Sequence, residues 1–314
     1  MKNYYFLLIC FLTYGLNDLY GSPSSKPGSS IYPDARGQVL SITKKPQRIV
    51  SASVASDEIL WLILEKAKSL ERLIGVSYLA DQEKYSHISE KVKKIPFKVG
   101  KSLETFVKAQ PDLLILASFN RPELIRQIEQ LSVPVFVMND FSSIEDIVKA
   151  VKSLASLIGE RKAGELVVGE FMQNLKMLED SIQKRESPPK VLAMVGEHGV
   201  IGQGTLFDSM LKFTGAVNAS SQLSLTGWPQ LGDEALVKLN PDFVVFSEDG
   251  VDTNSLLAKF QGKVSTRSWN AVKRCSFIRI PSRNMSAASP FILEGIQKIK
   301  IQLEDKKIGR ACGI

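Results

Sequence analysis

Residues 100–115 read GKSLETFVKAQPDLLI, and a similar segment returns 130 residues later as QLGDEALVKLNPDFVV at residues 230–245. Both copies carry a glutamate, a Val-Lys pair and a Pro-Asp pair at the same spacing. Each copy predicts a short helix, a turn at the proline and a buried strand, because proline ends a helix and the apolar run needs cover on both faces. One such unit repeated at this distance predicts two lobes that are built alike.

Strands and helices alternate on both sides of each copy. In the first half, strands are predicted at 48–53, 73–77, 113–117 and 135–138, and in the second half at 190–195, 243–246 and 277–280. Strands separated by helices pair in parallel through right-handed crossovers. We therefore predict an α/β fold with two Rossmann-like lobes, at residues 46–162 and 187–314.

The segment between the lobes, residues 163–186, predicts one long helix. Its apolar side chains recur at i, i+4, i+7 and i+11, namely Phe171, Leu175, Leu178 and Ile182. Such a stripe is typical of an amphipathic helix, and about 23 residues at ~1.5 Å each would reach about 35 Å. The periodicity suits either a rod that connects two lobes or a long surface helix of one domain.

The N-terminus predicts export. Lys2 precedes a short apolar run, and small residues follow it, so residues 1–21 are predicted to be a signal peptide. Residues 22–45 are predicted to be a flexible leader and the start of the fold, which should begin near Ile31. No later stretch is long and apolar enough to span a membrane. These features predict a periplasmic or other extracytoplasmic location.

Composition excludes several classes of function. The 314 residues are 44% hydrophobic and carry a net charge of +7, which suits a globular protein with sizeable cores. The lysines are dispersed without interleaved aromatic residues, so we expect a solvated basic surface and no nucleic-acid partner. After export only Cys275 and Cys312 remain, and whether they pair stays open. We expect a monomer.

Glu104 and Glu234 occupy the same place in the two copies, in the first turn of a helix. A carboxylate there is stabilised by the helix dipole, by up to about 1 kcal/mol, which accounts for either residue alone. As a pair on corresponding corners of two lobes, they are also suited to dock a partner with matching basic residues.

Together these motifs resemble the helical-backbone class of ABC-importer binding proteins, which includes cobalamin, siderophore and haem binders. The resemblance runs from about Pro46 to Leu303 and includes Gly227-Trp228-Pro229-Gln230. It implies a ligand held in the cleft between two lobes joined by a rigid helix. It also implies that Glu104 and Glu234 match the acidic pair that docks onto arginines of the permease in the inner membrane, and that Trp228 matches a cleft aromatic.

Ligand contacts are expected in loops at strand ends, where open α/β sheets place their sites. The predicted ligand-binding residues are Ser53, Val54, Tyr78, Phe119, Arg121, His198, Trp228 and Arg283. The expected ligand is a cobalamin or chelated iron, with no separate cofactor. Only His87 and His198 are available as histidine ligands, in different lobes, so a bare metal site is not expected. Haem remains an alternative, with a histidine or Tyr78 as axial ligand.

An enzyme is the weaker alternative. Four glycines, at positions 196, 199, 202 and 204, follow the strand at 190–195 in the manner of a phosphate-binding loop. Their spacing fits neither the dinucleotide motif nor the P-loop motif. No catalytic constellation with supporting context accompanies them, so we predict a binding protein rather than a nucleotide-binding enzyme.

Overall fold

The computed structural model describes residues 30–183, 185–249 and 253–305. The predicted signal peptide and Cys312 lie outside the described residues, while Cys275 is disulfide-bonded. The strands of the described ranges are β1 (Ser30–Pro33), β2 (Val39–Ile42), β3 (Ile49–Ser51), β4 (Leu73–Ser77), β5 (Phe97–Val99), β6 (Leu113–Ala117), β7 (Val135–Met138), β8 (Lys190–Val195), β9 (Gly199–Val200), β10 (Val217–Asn218), β11 (Phe243–Ser247) and β12 (Phe277–Ile280).

The helices of the same ranges alternate with these strands. They are α1 (Val54–Lys66), α2 (Leu103–Ala109), α3 (Pro122–Glu129), α4 (Ile144–Leu157), α5 (Arg161–Asp180), α6 (Leu206–Leu211), α7 (Asp233–Lys238), α8 (Thr253–Gly262), α9 (Asn270–Lys273), α10 (Ser282–Met285) and α11 (Ile292–Glu304). Within the described ranges, none of these helices has both the length and the apolar character that a membrane span requires.

Two parallel sheets form the centres of two lobes. The N-terminal lobe has the order β5-β4-β3-β6-β7, and the C-terminal lobe has β10-β8-β11-β12, with the short β9 antiparallel beside β8. The order β4-β3-β6-β7 therefore corresponds to β10-β8-β11-β12. The predicted α/β fold with two similar lobes is confirmed.

The aspartate of each Pro-Asp pair forms equivalent hydrogen bonds in the two lobes. The Asp112 carboxylate accepts hydrogen bonds from the backbone N–H groups of Gln47 and Arg48, at 2.7 and 2.9 Å, where the chain enters β3. The Asp242 carboxylate accepts one from the N–H of Lys190 at the start of β8, at 3.0 Å. Each aspartate thus joins two neighbouring strands, which explains this part of the repeat.

Helix α5 connects the lobes and is shorter than the predicted segment. Its 20 residues span about 30 Å, and Val167, Phe171 and Leu175 form its buried stripe. The helix ends at Asp180 because the chain turns into the C-terminal lobe. Ile182 there packs so closely on Gly215 that a β-carbon added to that glycine would lie 2.6 Å from the isoleucine side chain.

The largest apolar core is shared by both lobes. It combines Ile59 and Leu154 of the N-terminal lobe and Phe171 of α5 with Phe207 and Ile296 of the C-terminal lobe. Smaller cores lie on the outer side of each sheet. The lobes are therefore packed together as well as connected by α5.

Candidate functional site

A cavity of about 380 Å³ lies between the lobes. Its N-terminal wall is formed at the carboxyl ends of β3, β4, β5 and β6, and its C-terminal wall is formed by residues 286–288. Open α/β sheets place their ligands at this edge. The lining residues are Ala52, Ser53, Val54, Ala55, Glu58, Ser77, Tyr78, Leu79, Tyr85, Gly100, Phe119, Asn120, Arg121, Leu124, Ser286, Ala287 and Ala288.

The N-terminus of α1 forms one part of the wall. Ser53 caps the helix, and its hydroxyl accepts a hydrogen bond from the N–H of Ser56 at 3.3 Å. Val54 and Ala55 follow as the first helical residues, whose N–H groups have no partner within a helix. The fold thereby presents backbone donors and the positive end of a helix dipole to the cavity.

Two tyrosines line the cavity, and each carries a lysine over its ring. The Lys101 ammonium lies 5.0 Å from the ring centre of Tyr78, and the Lys84 ammonium lies 5.4 Å from that of Tyr85. Gly100 allows the close approach, because a β-carbon there would lie 3.2 Å from the Tyr78 ring. Neither phenol oxygen forms a hydrogen bond with another described residue. Both are available to a ligand.

The loop after β6 supplies Phe119 and Arg121. Asn120 holds this loop in place, since its amide donates to the Ala52 carbonyl at 3.0 Å and accepts from the Ala117 N–H at 2.8 Å. The Phe119 side chain is 60% exposed at the wall of the cavity. Arg121 precedes α3 and donates weakly to the Lys101 carbonyl, at 3.4 Å. An exposed aromatic and a basic group thus lie side by side.

Glu58 forms the floor of the cavity and joins the two lobes. It is almost fully buried, and Oε1 accepts from the N–H of His87 at 2.8 Å and contacts its Nδ1 at 3.0 Å. Oε2 accepts from the Ser289 hydroxyl of the other lobe at 2.5 Å. The His87 ring continues to Asn284, with Nε2 3.0 Å from its Nδ2, and stacks on Phe291. The polar atoms of the glutamate are therefore occupied by protein partners.

Asp57, next to Glu58, is completely buried. Burial raises the pKa of Asp57 well above its usual range, against the opposing effect of the nearby Ser51 side chain and of the hydrogen bond from the N–H of Ser77. A chain of hydroxyls, Ser51 to Ser56 at 2.6 Å and Ser56 to Ser53 at 2.7 Å, leads from this region to the cavity wall. Asp57 Oδ2 accepts from the N–H of Ser77 at 3.0 Å, whereas Oδ1 is buried without a hydrogen-bond partner among the described residues.

The structure brings five of the eight predicted ligand residues to the cavity, namely Ser53, Val54, Tyr78, Phe119 and Arg121. The other three lie elsewhere. The His198 ring contacts the Leu231 carbonyl at 2.9 Å and Lys263 at 3.3 Å. Trp228 is 64% exposed but does not line the cavity. Arg283 binds Glu83 of the opposite lobe.

Sequence reasoning missed Glu58, Tyr85, Lys101 and the small residues 286–288. Glu58 follows a Ser-x-x-Ser-Asp start of a helix, so an acidic residue there has an ordinary capping explanation. Tyr85 lies in the long connection between β4 and β5, where no periodic pattern predicts its direction. Neither residue could be assigned to the cavity without coordinates.

Glu104 and Glu234 each occupy the second position of their helix, α2 or α7, and both are exposed. The Lys108 ammonium lies 2.8 Å from Glu104, and this neighbour lowers the pKa of the glutamate. The helix ends are held in similar ways. Arg48 donates to the Ala109 carbonyl at 2.6 Å, and the Trp269 indole donates to the Leu236 carbonyl at 3.0 Å.

The four glycines after β8 serve the packing of the chain itself. A β-carbon on Gly199 would lie 2.5 Å from the Val195 carbonyl oxygen, and one on Gly202 would lie 2.7 Å from that of Leu225. Gly196 and Gly204 have φ of +68° and +69°, which glycine adopts without strain. Tight turns thus account for this run without a bound phosphate.

Residues 49–284 match the sequence model of the periplasmic binding proteins. The chain belongs to the periplasmic binding protein family. This family consists of solute-binding proteins rather than enzymes. Among the described residues, no group of three or more histidine, cysteine or acidic side chains is placed to hold a metal ion.

Relatives of this periplasmic binding protein cover most of its length. It is 25% identical over 288 residues to the uncharacterized ABC transporter substrate-binding lipoprotein YvrC of Bacillus subtilis, covering 88% of this chain and 87% of that one. It is 23% identical over 270 residues to the vitamin B12-binding protein of Pectobacterium atrosepticum, covering 84% and 90%. The fold matches a possible iron-binding, periplasmic solute-binding protein of Staphylococcus epidermidis, with a TM-score of 0.71 and 23% identity over 83% of this chain and 100% of the other.

Proposed function

We propose that this protein is the solute-binding component of an ABC importer, and that it captures a cobalamin or a ferric-siderophore-type ligand. The observation that carries the proposal is the cavity between two similar lobes, at the carboxyl ends of parallel strands. The vitamin B12-binding relative and the substrate-binding lipoprotein support this choice of ligand and of transporter. The export signal predicted at residues 1–21 and the substrate-binding lipoprotein relative support an extracytoplasmic location.

The chemistry of the cavity favours a ligand with an aromatic or apolar face and a negatively charged group. Tyr78, Tyr85 and Phe119 offer aromatic surface, and Arg121 lies on the wall beside them. Lys84 and Lys101 add positive charge behind the tyrosines. The acidic Glu58 is shielded by its hydrogen bonds to His87 and Ser289. Ferric tris-catecholates carry aromatic rings and negative charge, and cobalamins carry the face of the corrin ring and a phosphodiester anion.

Haem is a second candidate, and the two tyrosines favour it. A phenol oxygen is a known axial ligand of haem iron. Tyr78 and Tyr85 line the cavity, and neither phenol oxygen has a protein partner among the described residues. His87 and His198 do not line the cavity, and their rings contact other groups. A haem in this cavity would therefore be bound by a tyrosine.

A melting screen of the purified protein tests the ligand class. Cyanocobalamin, a ferric tris-catecholate, a ferric tris-hydroxamate and haemin are each added at about 100 times their Kd, and a true ligand should raise the Tm by about 5 °C. Arg121→Ala should weaken that shift, whereas Arg126→Ala, in the helix that Arg121 precedes but away from the cavity wall, should not. If none of the four ligands shifts the Tm, the proposed ligand class is wrong.

Spectroscopy separates haem from the other ligands. Haemin bound through a phenolate should give a Soret band that changes in Tyr78→Phe or in Tyr85→Phe, depending on which residue is the ligand. If neither single variant nor the double variant alters the band of bound haemin, tyrosine ligation is excluded.

Glu104 and Glu234 are proposed to dock this protein onto the permease. Their support is the equivalent placement on two short helices, one in each lobe, with both side chains exposed. A permease with a basic residue facing each corner would complement this arrangement.

A further inference from the structure

One segment from each lobe meets the other beside the cavity. Residues 83–87 lie in the connection between β4 and β5, and residues 283–294 include α10 and the start of α11. Tyr85 of the first segment and residues 286–288 of the second line the cavity. Contacts between the two segments therefore close one side of the cavity.

The outer contact is made by Arg283. Its Nη1 donates to the backbone carbonyl of Glu83 at 2.8 Å and to the carboxylate of the same residue at 3.2 Å. The Arg283 side chain is 25% exposed and that of Glu83 is 81% exposed, so the pair lies at the surface. The Nε of Arg283 is buried without a hydrogen-bond partner among the described residues. The arginine is thus held at one end only.

A buried layer lies beneath this contact. Glu58 accepts from Ser289 at 2.5 Å, and His87 contacts Asn284 at 3.0 Å, so both hydrogen bonds cross between the lobes. Separating buried partners exposes their full desolvation cost, whereas an exposed ion pair contributes little to stability. The outer contact should therefore open while the buried layer stays closed.

We propose that the contact of Arg283 with Glu83 is a gate at the mouth of the cavity. It opens and recloses while the lobes stay joined by the buried layer and by the shared apolar core. The gate follows from contacts within the chain, and it rests on the proposed function only in that the molecule passing it is the transported solute. Arg283 thereby acts on ligand exchange without lining the cavity.

Hydrogen–deuterium exchange of the ligand-free protein tests the gate. In Arg283→Ala, amides of residues 79–86 and 285–288, outside the buried layer, should exchange about threefold faster than in the wild type, because the exposed contact no longer opposes local opening. Glu83→Ala should give a smaller increase, since the backbone carbonyl of residue 83 still accepts from the arginine. Amides of β3 and β8 should keep their wild-type rates.

The matched control is Lys66→Ala. Lys66 forms a 2.6 Å ion pair with Glu170 that joins α1 to α5 away from this cavity, so its loss should leave residues 79–86 unchanged. The proposal is overturned if Arg283→Ala does not raise exchange in the two segments, if β3 and β8 accelerate equally, or if Lys66→Ala has the same effect. No ligand is present, so failure here leaves the melting screen intact, and failure of that screen does not alter the exchange result.

Discussion

At the scale of single residues, Asp57 couples the stability of the protein to pH. Its pKa is raised well above the usual range by burial. Above about pH 4 the unfolded chain releases this proton while the folded protein retains it, so the residue lowers stability progressively as pH rises. Asp57→Asn has no such proton. The variant should therefore gain stability relative to the wild type as pH rises from about 4 to 7. The difference in the free energy of unfolding, measured by urea unfolding at several pH values, should increase over this range.

Asp249 supplies a control of opposite sign. Its pKa is lowered, chiefly by a hydrogen bond from the side chain of Ser282. The ionised form is favoured in the folded state, so it contributes stability above the unfolded pKa that is lost as pH falls. The free energy of unfolding of Asp249→Asn should therefore fall relative to that of the wild type as pH rises from about 3 to 5. Parallel trends in the two variants would contradict the assignment.

Ser289 is expected to stabilise the contact between the lobes. Its hydroxyl donates to the buried Glu58 carboxylate at 2.5 Å, so Ser289→Ala leaves one carboxylate oxygen without this partner. We expect a loss of about 2 kcal/mol in the free energy of unfolding. Ser102→Ala is the control, because this exposed serine makes no capping hydrogen bond through its side chain. The free energy of unfolding of this variant should be close to that of the wild type. Equal losses would mean that the Glu58 contact contributes nothing.

Side chains near capping positions and strand ends could be predicted, whereas contacts across the lobes could not. Ser53 is the last residue of one predicted strand and Tyr78 directly follows another, so their place at a sheet edge follows from the α/β pattern. Arg283 also lies shortly after a strand, β12, but its guanidinium donates a hydrogen bond to the Glu83 carbonyl and does not line the cavity. That carbonyl belongs to a segment 200 residues away in sequence, and local patterns carry no information about such a partner.

At the scale of elements, the crossing of α4 and α5 depends on Gly164. A β-carbon there would lie 2.3 Å from that of Ala155, so the two helices touch backbone to side chain. Gly164→Ala should therefore lower stability by about 2 kcal/mol through overpacking, despite the higher helix propensity of alanine. Thermal and urea unfolding measure this change.

Gly169 is the matched control, five residues along the same helix. An added β-carbon there meets no atom within 4 Å. Gly169→Ala should raise stability by about 0.5–1 kcal/mol, because only the helix propensity changes. If both substitutions stabilise the protein, α4 and α5 leave room for a β-carbon at position 164, and the proposed overpacking against Ala155 is wrong.

Elements with strong start and stop signals were predicted closely. The sequence predicted that the proline after Gln110 ends a short helix, and α2 does end at Ala109. The end of α5 was predicted too far along the chain, since the apolar stripe continues to Ile182 while that side chain already packs on Gly215 of the C-terminal lobe. Tertiary packing ended the helix where periodicity would have extended it.

At the scale of the whole molecule, the internal repeat separates what the fold requires from what it does not. Asp112 and Asp242 are required, because each joins two strands. Phe106 and Leu236 are required as buried core. Glu104 and Glu234 are exposed at the same position of the repeat. Their contribution to the stability of the fold is only a weak favourable interaction with the N-terminus of a helix. The proposed docking onto a permease that contacts both lobes would account for their recurrence.

Reversing both charges should therefore separate transport from binding. The double variant Glu104→Lys with Glu234→Lys should lose association with the permease by about a hundredfold or more, because each corner would place like charges together. The Kd for the solute should stay within about twofold, since neither residue lines the cavity.

Glu165→Lys with Glu179→Lys is the control, as it makes the same change in net charge at exposed positions of α5. Uptake in whole cells and binding to the permease in nanodiscs measure the effect. Weakened solute binding with normal permease association would contradict the docking role, and equal loss in the control would reduce it to an effect of net charge.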